Sequence, residues 1–141
     1  MRDGVGLRPA THAWVVFSGE TTLWWLRLFL RRGYRHCFVI VGQTVINPIG
    51  NRIEIFGIDS AEAFVRLCIR KQMSCAKVGV RDDLPGGVNL SMISCVEVAR
   101  RIIGLRARVW TPYGLYKRLC KLNREELRQE IEIARQNASR R

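Results

Sequence analysis

The segment from residue 35 to residue 57 leaves this chain few architectures. Residues 35–41 (Arg-His-Cys-Phe-Val-Ile-Val) form an apolar, β-branched run that reads as a strand. Gly42-Gln43 supplies a two-residue hairpin turn, and residues 44–47 return. Pro48-Ile49-Gly50-Asn51 forms a second turn, and residues 52–57 a third strand. Three strands joined by tight turns make an antiparallel meander. A meander with an apolar face must be covered, so the flanking segments are expected to supply helices.

The flanks do so. Residues 13–17 (Ala-Trp-Val-Val-Phe) read as a further buried strand, with His12 at its start. Thr21 or Thr22 caps a helix expected to run to about Arg32, apolar nearly all round through Trp24 and Trp25. It either packs on the sheet or offers its two tryptophans to a membrane or partner. Asp59-Ser60-Ala61-Glu62 reads as a capping box opening a helix to about Gln72, with Ala63, Val65, Leu67 and Cys68 as its apolar surface. Residues 74–80 give a fourth strand in the meander region, and 81–90, with Pro85-Gly86-Gly87, a loop. Thr111-Pro112 starts a helix, proline being suited to the first helical position. Asn123 is expected to cap a separate last helix, whose Leu127, Ile131 and Ala134 form a thin apolar stripe. The expected fold class is α+β: an antiparallel β-meander packed against helices, with C-terminal helices. Residues 1–110 form the core and 111–141 a helical extension.

Residues 93–104 carry the chemistry. Ser94 is a good N-cap, Glu97 stands at the capping-box position, and Gly104 is a C-terminal stop. Val96, Ala99 and Ile103 share an apolar face, with Arg100 and Arg101 off it. Cys95 is then the first residue of a helix, where free backbone N–H groups and the positive end of the dipole favour a thiolate. The same donors suit a developing oxyanion. The plain alternative is a small buried residue beside a capping serine.

Taking the hairpin literally pairs Val41 with Thr44, Ile40 with Val45 and Phe38 with Asn47. His36 and Asn47 then share a face as diagonal neighbours, about 7–8 Å apart along the backbone and bridgeable by side chains. An amide that fixes an imidazole, whose other nitrogen faces a thiol, is the Cys-His-Asn arrangement of nucleophilic catalysis. Cys95, His36 and Asn47 are therefore the candidate catalytic residues. His36 could instead be a core histidine, and Asn47 a simple Asn-Pro turn residue. Glu54 is a second candidate for the third position, and Gln43 a lesser orienter or oxyanion donor. His12 ranks below His36.

A meander with histidine on a strand, followed much later by a cysteine at a helix N-terminus, resembles the circularly permuted papain-like fold. That group includes permuted NlpC-type peptidases and lecithin:retinol acyltransferase-like proteins. The resemblance covers roughly residues 12–110 and implies the order His36, Asn47, Cys95. Ser94-Cys95-Val96-Glu97 is similar in position, not letters, to the Asn-Cys-Glu-His run of the acyltransferase branch. His36-Cys37-Phe38 departs from the usual His-x-Gly pattern, and the Asp-Cys-Ser-Gly signature of ordinary NlpC peptidases is absent. The Trp-Trp-Leu-Arg and Arg-His-Cys-Phe stretches are similar to those of small proteins encoded among tailed-phage or gene-transfer-agent structural genes.

Composition narrows the setting. The five cysteines are odd in number, and none forms a C-x-x-C pair, which argues against a disulfide framework and an ordinary zinc site. No metal or other cofactor is expected. A net charge of +12 favours anionic partners such as nucleic acid, acidic lipid or wall polymer without choosing among them. The N-terminus lacks a signal-peptide core and the densest apolar stretch is too short to span a bilayer, so a cytoplasmic or virion-associated protein is expected. The expected function is a cysteine hydrolase acting on an amide or peptide bond, in a phage setting peptidoglycan. The alternative is a non-catalytic virion or assembly protein that docks through Trp24, Trp25, Leu127 and Ile131. An acyltransferase acting at membranes through the tryptophans ranks third.

Overall fold

The computed structural model describes residues 12–20, 26–50, 52–80 and 94–139. Five strands, β1 (His12–Ser18), β2 (His36–Val41), β3 (Thr44–Ile49), β4 (Arg52–Gly57) and β5 (Ser74–Gly79), form one antiparallel sheet in the order β4-β3-β2-β1-β5. Four helices, α1 (Leu26–Phe29), α2 (Ala61–Arg70), α3 (Cys95–Ile102) and α4 (Pro112–Ser139), complete an α+β fold. Residues 21–25, with Trp24 and Trp25, lie outside the described residues.

The β2–β3 turn forms where the sequence puts it. Gly42 takes φ +57°, the positive value a two-residue hairpin turn needs at its first central position. That turn fixes the register Val41↔Thr44, Ile40↔Val45, Val39↔Ile46. The ladder stops there, so the expected pairing of Phe38 with Asn47 is not made. Next in β3 stands Pro48, which has no N–H to donate to a ladder. β3 continues through Ile49, so the second turn is tighter than expected, with Ile49 opposite Arg52.

Helices cover both faces. Val16, Ile40 and Val45 pack under Val65 and Cys68 of α2. Ala13, Val15, Phe17, Cys37, Val39, Ala76 and Val78 pack on the opposite face against Val96 and Ala99 of α3 and Leu115 and Leu119 of α4. β1 is an interior strand and alternates between these two cores, which explains its nearly unbroken apolar run. Leu115 and Leu119 are fully buried, so the first half of α4 belongs to the same core as the sheet. Phe17, Tyr34, Tyr113 and Tyr116 form a ring cluster, and the Tyr34 hydroxyl meets Ser74 Oγ at 3.0 Å. Tyr34 is thereby pinned two residues ahead of His36.

Several sequence expectations change. β5 is not a continuation of the meander: it pairs with β1 at the far edge, from His12↔Gly79 to Phe17↔Ser74. A strand's partner across the sheet is a non-local choice that local pattern does not encode. The α2 cap is Ser60, whose Oγ accepts from the Ala63 N–H at 3.2 Å, rather than Asp59. Leu67 is half-exposed and Ala63 is exposed, so the buried face of α2 is Val65 and Cys68. Asn123 caps nothing; α4 runs unbroken through it, and its Nδ2 donates to the Lys77 carbonyl of β5 at 3.0 Å. Continuing the helix keeps its backbone bonds, which outweighs a cap preference. The helix expected to reach Arg32 ends at Phe29; Leu28 and Phe29 face solvent, so no packing extends it.

Candidate active site

Two local signals aim Cys95. Ser94 adopts extended backbone (φ −92°, ψ 159°), and its Oγ accepts from the Glu97 N–H at 3.1 Å. Its carbonyl accepts from the Val98 N–H at 3.1 Å. Cys95 is therefore the first residue of α3, and the N–H groups of Cys95 and Val96 have no intrahelical acceptor. At the other end Gly104 takes φ +71° and stops the helix. Glu97 does not return its carboxylate to the cap. It binds Arg100 through two nitrogens (2.9 and 3.1 Å) and Arg101 Nε at 2.8 Å. Hydrogen bonding to Arg100, against some burial, holds this carboxyl below its ordinary range, and Arg101 adds to the effect. Its charge is thus compensated within α3 and opposes a nearby thiolate less. Arg100 also donates to the carbonyls of Leu105 and Ala107, tying α3 to the chain that leads to α4.

Cys95 lies against the end of the sheet where β2 and β3 no longer pair. His36 is the first residue of β2, opposite Ser18. Its Nε2 donates to Asn47 Oδ1 at 2.7 Å, because an amide oxygen only accepts. Nδ1 is then the ring nitrogen left to meet Cys95, with which His36 forms a side-chain hydrogen bond. Asn47 and His36 lie 11 residues apart and Cys95 lies far along the chain from both, yet the three stand in one hydrogen-bonded run.

The electrostatics favour an ion pair. Burial pulls the His36 imidazolium down, but the hydrogen bonds to Cys95 and Asn47, together with the sulfur's charge, raise its pKa above 6.5. Cys95 is lowered to about 4 by a hydrogen bond from the Cys37 thiol, with burial opposing; the hydrogen bond and charge of His36 and the Cys37 backbone N–H then add to the lowering. A thiol is a weak donor, so the imidazolium charge is the more durable part of this stabilisation. As long as His36 keeps its proton, the site holds a thiolate beside an imidazolium. A sulfur at a helix N-terminus, with an oriented proton donor and free backbone N–H groups, can attack a carbonyl and stabilise the resulting oxyanion.

The other candidates are engaged with other partners or stand at the other end of the sheet. Glu54 sits opposite Asn47 on β4 but pairs with Arg52 at 3.0 Å. Gln43 Nε2 donates to the Asp59 carbonyl at 2.9 Å, at the far end of the hairpin. His12 begins β1, the end away from Ser18 and His36. A cleft of about 330 Å³ lies at that end between Trp14, Gln43, Ser60 and Lys77, and contains none of the three candidate catalytic residues. Leu127 and Ile131 are roughly half-exposed on α4 and do not dock on the sheet. Sequence reasoning missed Cys37. The usable signal was its place in β2: strand alternation turns it to the face opposite His36, the face on which α3 packs.

Among the described residues no group of three or more His, Cys, Asp or Glu could hold a metal ion, and no helix is long and apolar enough to cross a membrane. No protein-family model matches this chain, and no curated protein or solved structure does.

Proposed function

We propose that this chain is a cysteine hydrolase of the permuted papain-like type that cleaves an amide or peptide bond. The observation that carries the reading is the run Asn47–His36–Cys95, with the sulfur on the first residue of a helix. The Cys95 thiolate attacks the carbonyl carbon, forming a C–S bond and an oxyanion beside the free N–H groups of the first turn of α3. As the tetrahedral intermediate collapses the C–N bond breaks, and Nδ1 of His36 gives its proton to the departing amine. The thioester is then hydrolysed: neutral His36 takes a proton from water, hydroxide adds to the carbonyl, and Cys95 leaves as thiolate. Asn47 acts throughout as a positioning residue, holding the ring so that Nδ1 and not Nε2 faces the sulfur.

Peptide crosslinks of peptidoglycan are the proposed substrate, in a phage setting. The charge of +12 suits an anionic wall, where it concentrates the protein on its substrate. The test treats the full chain with an activated acyl ester and with purified crosslinked muropeptides. An acyl adduct on Cys95, new free amines from the muropeptides, and loss of both in Cys95→Ala are expected. No adduct on Cys95 with the ester would overturn the hydrolase reading; an adduct without muropeptide cleavage would overturn the wall substrate alone.

One observation favours a second reading, a virion or assembly component that uses the fold for docking. Leu127, Ile131 and Ile133 stand exposed on the half of α4 beyond the core. In that case Cys95→Ala leaves assembly intact and Ile131→Glu abolishes it. The basic surface would then meet packaged nucleic acid or an acidic neighbouring protein.

A further inference from the structure

One group at the site makes and breaks no bond in the proposed hydrolysis beyond its hydrogen bond to Cys95, the thiol of Cys37. It follows His36 in β2 and is fully buried, whereas Cys95 is part-exposed. The two sulfurs are hydrogen-bonded, and the Cys37 backbone N–H also reaches Cys95 Sγ. Cys95 also packs against the buried cluster that contains Cys37, where α3 docks on β2, and side-chain proximity of this kind is what a disulfide needs. The remaining cysteines are placed differently. Cys68 and Cys75 belong to the core under α2, on the other face of the sheet, and Cys120 lies on α4 beside Tyr116.

We propose that Cys37 and Cys95 form a reversible oxidation site, in which Cys95 reacts with a peroxide and Cys37 resolves the product as an intrachain disulfide. The inference rests on the thiolate assigned to Cys95 above. The Cys95 thiolate attacks one peroxide oxygen; an S–O bond forms, the O–O bond breaks, and the leaving hydroxide takes the His36 proton as water. The Cys37 sulfur then attacks the Cys95 sulfur. The S–S bond forms, the S–O bond breaks, and the Cys37 proton leaves with the oxygen as a second water. Two thiols and one peroxide give one disulfide and two waters; the sulfurs lose two electrons and the peroxide gains two.

The difference in burial sets the roles. Cys95 is part-exposed and ionised whereas Cys37 is fully buried, so peroxide finds Cys95 first. The hydrogen bond to Cys95, then burial and the charge on the Cys95 sulfur, push Cys37 up, well above the ordinary thiol range, so it does not compete for peroxide. Proximity offsets its small thiolate fraction in the second step, because a reaction within one site needs no encounter. The consequence is protection. A sulfenic acid left without a resolving thiol proceeds to sulfinic acid, which simple thiols do not reverse. A disulfide is restored by any dithiol.

The test exposes the reduced full chain to stoichiometric and tenfold hydrogen peroxide, followed by peptide mass spectrometry and iodoacetamide labelling of Cys95 before and after dithiothreitol. Wild type is expected to give a Cys37–Cys95 linked peptide and to recover all Cys95 labelling with dithiothreitol. Cys37→Ser, which keeps the size of the side chain, and Cys37→Ala are expected to give sulfinic acid at Cys95 and to recover little; either one suffices if the other does not fold. Linkage of Cys95 to another cysteine, or equal irreversible oxidation in wild type and variants, overturns the proposal and leaves the hydrolase reading standing. A Cys95 inert to both peroxide and iodoacetamide overturns both.

Discussion

Replacing His36 by alanine should change the shape of Cys95 reactivity with pH more than its size. With a pKa of about 4, Cys95 is fully thiolate at pH 6. A thiol of ordinary pKa, about 8.5, is roughly 0.3 % thiolate at that pH, about 300-fold less. Nucleophilicity falls with basicity, however. With a Brønsted coefficient of about 0.4–0.5, a drop of roughly 4.5 pKa units costs the thiolate about 100-fold. The two factors nearly cancel, leaving wild type only about threefold ahead at pH 6 and well behind an ordinary thiolate at pH 9. Absolute rate is therefore a poor test. In wild type the rate of iodoacetamide labelling should rise through pH 4, stay flat from about pH 5 until His36 begins to lose its proton above 6.5, and show a shallow second step there. In His36→Ala the imidazolium is gone, and the plateau should give way to a rise of about tenfold per pH unit over part of that range. The assay follows the Cys95 peptide by mass spectrometry, which separates it from the other four cysteines. A wild-type profile that climbs steadily to about pH 8.5 would refute the ion pair.

Two further outcomes follow from named contacts. Asn47→Ala removes the 2.7 Å bond to His36 Nε2. A bond to a charged group is worth about 1.5–3 kcal/mol, so acylation by an activated ester should slow by roughly 10- to 150-fold. Asn47→Asp keeps an acceptor and adds a charge, so it should raise the His36 pKa further, read by NMR. Leu119→Ala empties a fully buried position between α4 and the sheet and should cost about 2–5 kcal/mol. That loss should appear as a lower urea midpoint at unchanged slope; a loss under about 1 kcal/mol would remove α4 from the core.

The placement of the candidate residues was legible in the sequence because it is set by local rules. Gly42 fixes the hairpin register, which carries Asn47 back beside His36. Ser94 fixes the start of α3, which puts Cys95 at the helix mouth. Both signals act over a few residues, so spacing reveals them. What escaped depends on contacts between distant segments. β5 chooses β1 because α2 carries the chain across the sheet to its open edge, and no short window of sequence contains that choice. Asn123 looks like a cap but serves β5, since the backbone of α4 gains more by continuing. Cys37 looked like one more buried apolar residue; only the docking of α3 on β2 turns it into a neighbour of Cys95.

The central claim, a thiolate–imidazolium pair between Cys95 and His36, is tested most directly by titrating His36 by NMR in wild type and in Cys95→Ala. Burial is the strongest influence on this imidazole and acts downward, while Cys95 and Asn47 act upward. The account predicts a His36 pKa above 6.5 in wild type that falls below 6.5 in Cys95→Ala, where burial meets only the Asn47 bond. The same pKa in both proteins would contradict it.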